Sequence, residues 1–73
     1  MHEFMAPGRM WKHKKSGHTY RIVCEAVIEK DLAPVVVYCR AGLYPPKTEY
    51  ECWVRPRDEF LDGRFEYIPP SIA

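Results

Sequence analysis

"ECWVRPRDEF", residues 51–60, changes character halfway along. Up to Arg55 the residues Tyr50, Cys52 and Val54 alternate with Glu49, Glu51, Trp53 and Arg55, the period-two pattern of a strand. Pro56 has no N–H to give a ladder and ends that strand. Asp58 and Glu59 follow directly, where acids favour the positive end of a starting helix. Gly63 leaves space for a turn and no more, so a short 3₁₀ or α turn is expected over residues 57–61. "RFEYI", residues 64–68, then predicts a final strand.

Further upstream the pattern is again that of strands. "VVVYCR", residues 35–40, is too short and too β-branched for a helix, and Pro34 stands at its first position, where a missing donor is tolerated. From Thr19, the set Tyr20, Ile22, Cys24, Ala26 and Ile28 alternates with Arg21, Val23, Glu25 and Val27. "SGH", residues 16–18, reads as a turn around Gly17, and Gly42 with Pro45 and Pro46 marks a stiff loop. Strands of this length, with one helical turn before the last, predict a mainly β fold: a small SH3-like β-barrel of four to five short strands. The expected organisation is a loose arm over residues 1–10, one domain over residues 11–68 and a tail over residues 69–73.

Size and composition agree with one folded unit. The chain has 73 residues, 47% hydrophobic and 14% aromatic, enough for a core and outside the regime of disorder. A net charge of +1 argues against general attraction to nucleic acid, although Arg9, Lys12, Lys14, Lys15 and Arg21 form a stretch without a single acid. Cys24, Cys39 and Cys52 are widely spaced, which suggests neither a disulfide framework nor a zinc ribbon. With no apolar run near ~20 residues and no apolar leader, a cytoplasmic protein without membrane association is expected.

The segments "WKHKKSGHTYRIV", "PVVVY", "CWVRPRDEF" and "RFEYI" occur in an order that resembles short bacterial and phage proteins of an uncharacterised family. That pattern has an aromatic-x-His-x-Lys-Gly opening, a Val-Val-Tyr strand, a Trp-Val-Arg-Pro-x-x-x-Phe block and an Arg-Phe close. The matching residues are Trp11, His13, Lys14, Gly17, Tyr20, Val36, Val37, Tyr38, Trp53, Val54, Arg55, Pro56, Phe60, Arg64 and Phe65. The segment between Tyr38 and Trp53 is longer here, and that between Phe60 and Arg64 shorter. The resemblance implies a small β fold of bacterial or phage origin and no reaction.

Residue chemistry points to binding rather than catalysis. His13, His18 and a cysteine could be imagined as a metal or thiol site, but paired ligands a few residues apart are missing, and the cysteines share strand parity with Ile22, Val37 and Val54 and are expected to face inward. Asp58 and Glu59 are explained by the helix start. No cofactor motif is present. If Tyr50, Cys52 and Val54 point in, alternation sends Trp53 and Arg55 out; if Val35, Val37 and Cys39 point in, Val36, Tyr38 and Arg40 point out. The expected contact face is therefore Arg21, Tyr38, Arg40, Trp53 and Arg55, with Lys12, Lys14 and Lys15 at its edge.

Such a face suits a protein partner, where Trp, Tyr and Arg dominate hot spots, and single-stranded DNA or RNA is the alternative ligand. A third reading, of a different class, is a thiol- or metal-dependent activity using His13, His18 and a cysteine. Against any contact face stands the plain structural alternative, in which Trp53 is a core residue with its indole N–H bonded to backbone.

Overall fold

The computed structural model describes residues 3–70. Five strands are present: β1 (Met10–His13), β2 (Thr19–Val27), β3 (Pro34–Arg40), β4 (Cys52–Pro56) and β5 (Phe65–Ile68). They form one antiparallel sheet in the order β4-β3-β2-β1-β5. Pro56 caps a single helical turn, α1 (Arg57–Phe60), between β4 and β5. The sheet is not closed by backbone pairing, since β4 and β5 are its two outer strands, so the fold is mainly β and open where a closed barrel was expected. No helix among the described residues is long and apolar enough to cross a membrane.

β1 is the strand that the basic composition of its segment concealed. Gly17 adopts φ +78°, a value that an L side chain resists. The turn it makes returns the chain so that the His13 N–H donates to the His18 carbonyl at 2.9 Å. Trp11 then pairs with Tyr20 on one side and Tyr67 on the other.

A bulge decides which side chains share a face. On β2, Ile22 lies opposite Tyr38 but Cys24 lies opposite Val37, with the register shift between them. Val23 is the extra residue, and one extra residue inverts every later side chain. Ile22 is therefore fully buried while Cys24 and Ala26 are exposed, which corrects the expectation that Tyr20, Ile22, Cys24, Ala26 and Ile28 point the same way. Ile28 lies beyond the strand and is exposed.

The main core unites Met5, Trp11, Ile22, Val36, Tyr38, Phe60 and Phe65. Phe60 of α1 is its plug: fully buried, it stacks on Phe65 at 4.2 Å between centroids and meets Trp11 at 5.2 Å and Tyr38 at 5.3 Å. Residues 3–10 are not a loose arm where they are described. Met5 is buried in the core, the Trp11 indole N–H donates to the Phe4 carbonyl at 2.9 Å, and the Gly8 N–H donates to the Ile22 carbonyl at 2.8 Å. A short chain of this kind recruits its terminus because its own sheet offers too little apolar cover. Of the expected tail, residues 71–73 lie outside the described residues.

The inward set expected for β3 and β4 is also corrected. Val36 and Tyr38 belong to the main core, and Val35 and Cys39 are buried on the other face of the same strand, so β3 is covered on both sides and alternation along it says nothing about exposure. Tyr50 lies in a 3₁₀ turn, Glu49–Glu51, ahead of β4 and is 90% exposed; Val54 is exposed as well.

Candidate binding surface

Register builds the surface. Tyr20 lies opposite Arg40, Tyr38 opposite Trp53 and Val36 opposite Arg55, and directly opposed residues share a face. That face is the one that carries the core, so Trp53 stands on the core side and not opposite to it. Because β4 is an outer strand, the indole reaches only the rim of the core and remains 45% exposed.

At the rim the aromatic rings form a connected group. Tyr20 meets Tyr38 at 5.4 Å, Trp53 at 5.8 Å and Phe65 at 5.9 Å. The Arg40 guanidinium lies 5.7 Å from the Tyr20 ring centre and 6.0 Å from that of Trp53, within the range of cation–π attraction. Arg55 is held differently. Its Nε donates to the buried Tyr38 hydroxyl at 3.2 Å, its Nη1 lies 3.5 Å from Glu59, and its guanidinium covers the Phe65 ring at 5.5 Å. The bond to Tyr38 raises the Arg55 pKa further above its ordinary value. Arg55 thus fastens the seam between β4 and β5, whereas no ion pair engages Arg40 among the described residues.

Tyr38, Arg40, Trp53 and Arg55 come together as expected from the sequence. Arg21 does not join them. It lies opposite Cys39 on the other face and donates from Nη1 to the Gly8 carbonyl at 2.7 Å, so it fixes the N-terminal segment. Lys12 pairs with Thr19, on the face away from Trp11 and Tyr20. Lys14 and Lys15 lie in the β1–β2 turn, where with His13 and Arg64 they line a depression of about 380 Å³. Tyr20, Phe65 and His13 were missed; His13 meets Phe65 at 5.0 Å and extends the aromatic group toward that depression. Tyr20 shares the parity of Ile22, which lies opposite Tyr38, and that shared parity is the signal in the sequence that puts Tyr20 on the same face.

The cysteines do not behave as one inward set. Cys39 is buried, Cys52 half-buried and Cys24 exposed. Burial pushes the Cys39 thiol pKa up, helped by Cys52 and Glu51, while Arg21 opposes the shift. Among the described residues no group of three or more His, Cys, Asp or Glu side chains converges to hold a metal ion.

No family model, curated protein or solved structure matches the chain.

Proposed function

We propose that the chain is a small non-enzymatic binding domain of SH3-like build that docks on a protein partner through the rim formed by Tyr20, Arg40 and Trp53. The SH3-like reading is supported by the strand order, by the helical turn between β4 and β5, and by Arg55 and Phe65 meeting across the open seam. The observation that carries the docking reading is a half-exposed indole beside a guanidinium with no carboxylate partner among the described residues. Large apolar area with an unspent cation beside it fits a partner segment presenting an apolar side chain next to an acid. The resemblance noted in the sequence makes a bacterial or phage protein the expected partner, encountered in the cytoplasm.

The test compares the intact chain with Trp53→Ala and Arg40→Ala as immobilised baits in a lysate of the source cells. A protein retained by the intact chain and lost with both variants is the expected result. Equal retention by all three baits overturns the reading.

A second reading, single-stranded nucleic acid, is favoured by the depression lined by His13, Lys14, Lys15 and Arg64, which lies next to the aromatic group. Phosphate there with a base on Trp53 would combine charge and stacking. Titration of labelled DNA and RNA oligonucleotides at two salt concentrations tests it: binding that weakens with salt supports it, and the absence of a shift at low salt removes it.

A further inference from the structure

We infer that Cys39 and Cys52 are a reversible oxidation site, closing to a disulfide between β3 and β4 when the protein meets a peroxide. The two residues lie directly opposite each other in the β3–β4 ladder, so their side chains leave the sheet on the same face. The kind of pairing follows from a proline. Val35 is opposite Pro56 on outer strand β4, and a proline is accepted in an edge strand with its nitrogen turned away from the partner, which makes that pair of the non-hydrogen-bonded type. Types alternate along an antiparallel ladder, and β3–β4 runs without a register shift through Val37↔Val54 to Cys39↔Cys52. Cys39↔Cys52 is therefore non-hydrogen-bonded too. Independently, the Cys52 N–H is committed to the Glu49 carbonyl.

Residues opposed in this way have Cα atoms about 4.5 Å apart, inside the roughly 4.4–6.8 Å span that a disulfide bridges. Cys24 is the internal contrast. It is on the same face but lies opposite Val37, a diagonal neighbour of Cys39 at about 7–8 Å, beyond that span.

Exposure divides the roles. Cys52 is half-buried and accessible, Cys39 is buried. The Cys52 thiolate attacks one oxygen of hydrogen peroxide, the O–O bond breaks, and a sulfenic acid forms as the other oxygen leaves as water after taking a proton. Cys39 sulfur then attacks the sulfenic sulfur, the S–O bond breaks, and a second water departs. Two thiols and one peroxide become one disulfide and two waters, and a dithiol reverses the change by exchange. Arg21, opposite Cys39 on β2, only partly offsets the burial that favours the Cys39 thiol, which suits Cys39 to the second, resolving step. The bridge ties outer strand β4 to β3 one residue before Trp53, so oxidation pins the rim on which docking depends.

The experiment uses the reduced full chain, the same chain with Cys52→Ser, and the same chain with Cys24→Ser. Each is exposed to hydrogen peroxide, alkylated, and read by intact mass and peptide mapping. The expected result is a monomer that takes up alkyl at Cys24 alone, whose mass before the adduct is about 2 Da below that of the reduced chain, the two hydrogens lost on bridging, and that yields a Cys39–Cys52 peptide. The bridge is reversed by dithiothreitol, abolished by Cys52→Ser and preserved by Cys24→Ser. A monomer that keeps every thiol alkylatable after peroxide, or a map that joins Cys24 to either partner, overturns the inference. The intact-chain map decides the matter even if a variant fails to fold. Hydrogen exchange of β4 amides should slow in the oxidised form, and unchanged exchange would refute the pinning of the rim.

Discussion

Trp11 and Trp53 project from the same side of one sheet, yet they serve different ends. Trp11 sits on β1, flanked by β2 and β5, and is 7% exposed. Its ring meets Phe60 and Tyr67 and its N–H is bonded to the Phe4 carbonyl. Trp53 sits on outer strand β4, is 45% exposed, and has a guanidinium for a neighbour on its open side. The difference is not one of parity. Strand position within the sheet, not alternation along the strand, separates a buried ring from a half-exposed one in this fold.

The sharpest way to break that distinction is to empty the core side. Phe60→Ala removes a fully buried ring from between Trp11, Tyr38 and Phe65 and should cost about 3–5 kcal/mol, a large share of the stability of a chain this short. Trp53→Ala should cost only about 1 kcal/mol, since about half of the ring is in water already. Urea unfolding of both variants checks the contrast. Comparable losses would mean that Trp53 is a core residue, and partner binding, expected to fall about 30-fold with Trp53→Ala, would then report unfolding instead of contact.

Much of this was legible in the sequence, and the failures have physical causes. The run Pro34–Arg40, the turn at Gly17 and the break at Pro56 depend on local chemistry, and each appears where the residues put it. β1 was missed because Lys12 and His13 hide a strand whose one buried side chain is Trp11. The faces of β2 were misjudged at Val23, because a bulge depends on the partner strand and leaves no mark on its own alternation. The pleat of β3 was misread for another reason: with Val35, Val36, Tyr38 and Cys39 all buried, its sequence contains no inward set to find. The grouping of Tyr38, Arg40, Trp53 and Arg55 survived because the two strands were inverted together.

Between core and rim stands Arg55, whose replacement should have an intermediate effect. Arg55→Leu removes the donor to the Tyr38 hydroxyl, which is buried, and a buried hydroxyl without its partner costs about 1–3 kcal/mol. Adding Tyr38→Phe removes the stranded hydroxyl, so the double variant should be less damaged than the sum of the two single ones. Additive losses in urea unfolding would mean that Arg55 holds β4 to β5 through Glu59 and Phe65 alone.

Arg40 gives the smallest stability effect and the cleanest separation of the two regions. Its guanidinium is exposed, rests on the Tyr20 and Trp53 rings, and gains only about 0.5–1 kcal/mol there. Arg40→Ala should therefore leave unfolding almost unchanged, in contrast to Arg55, which is bonded to the Tyr38 hydroxyl and paired with Glu59. Its effect on docking should be disproportionate, because the positive charge is the element a carboxylate on the partner would seek. Arg40→Lys tests geometry against charge: a compact ammonium retains the charge but not the planar stacking on two rings. If affinity is lost with Ala and kept with Lys, the partner reads charge; if both variants lose it, the stacked guanidinium is itself the recognised surface.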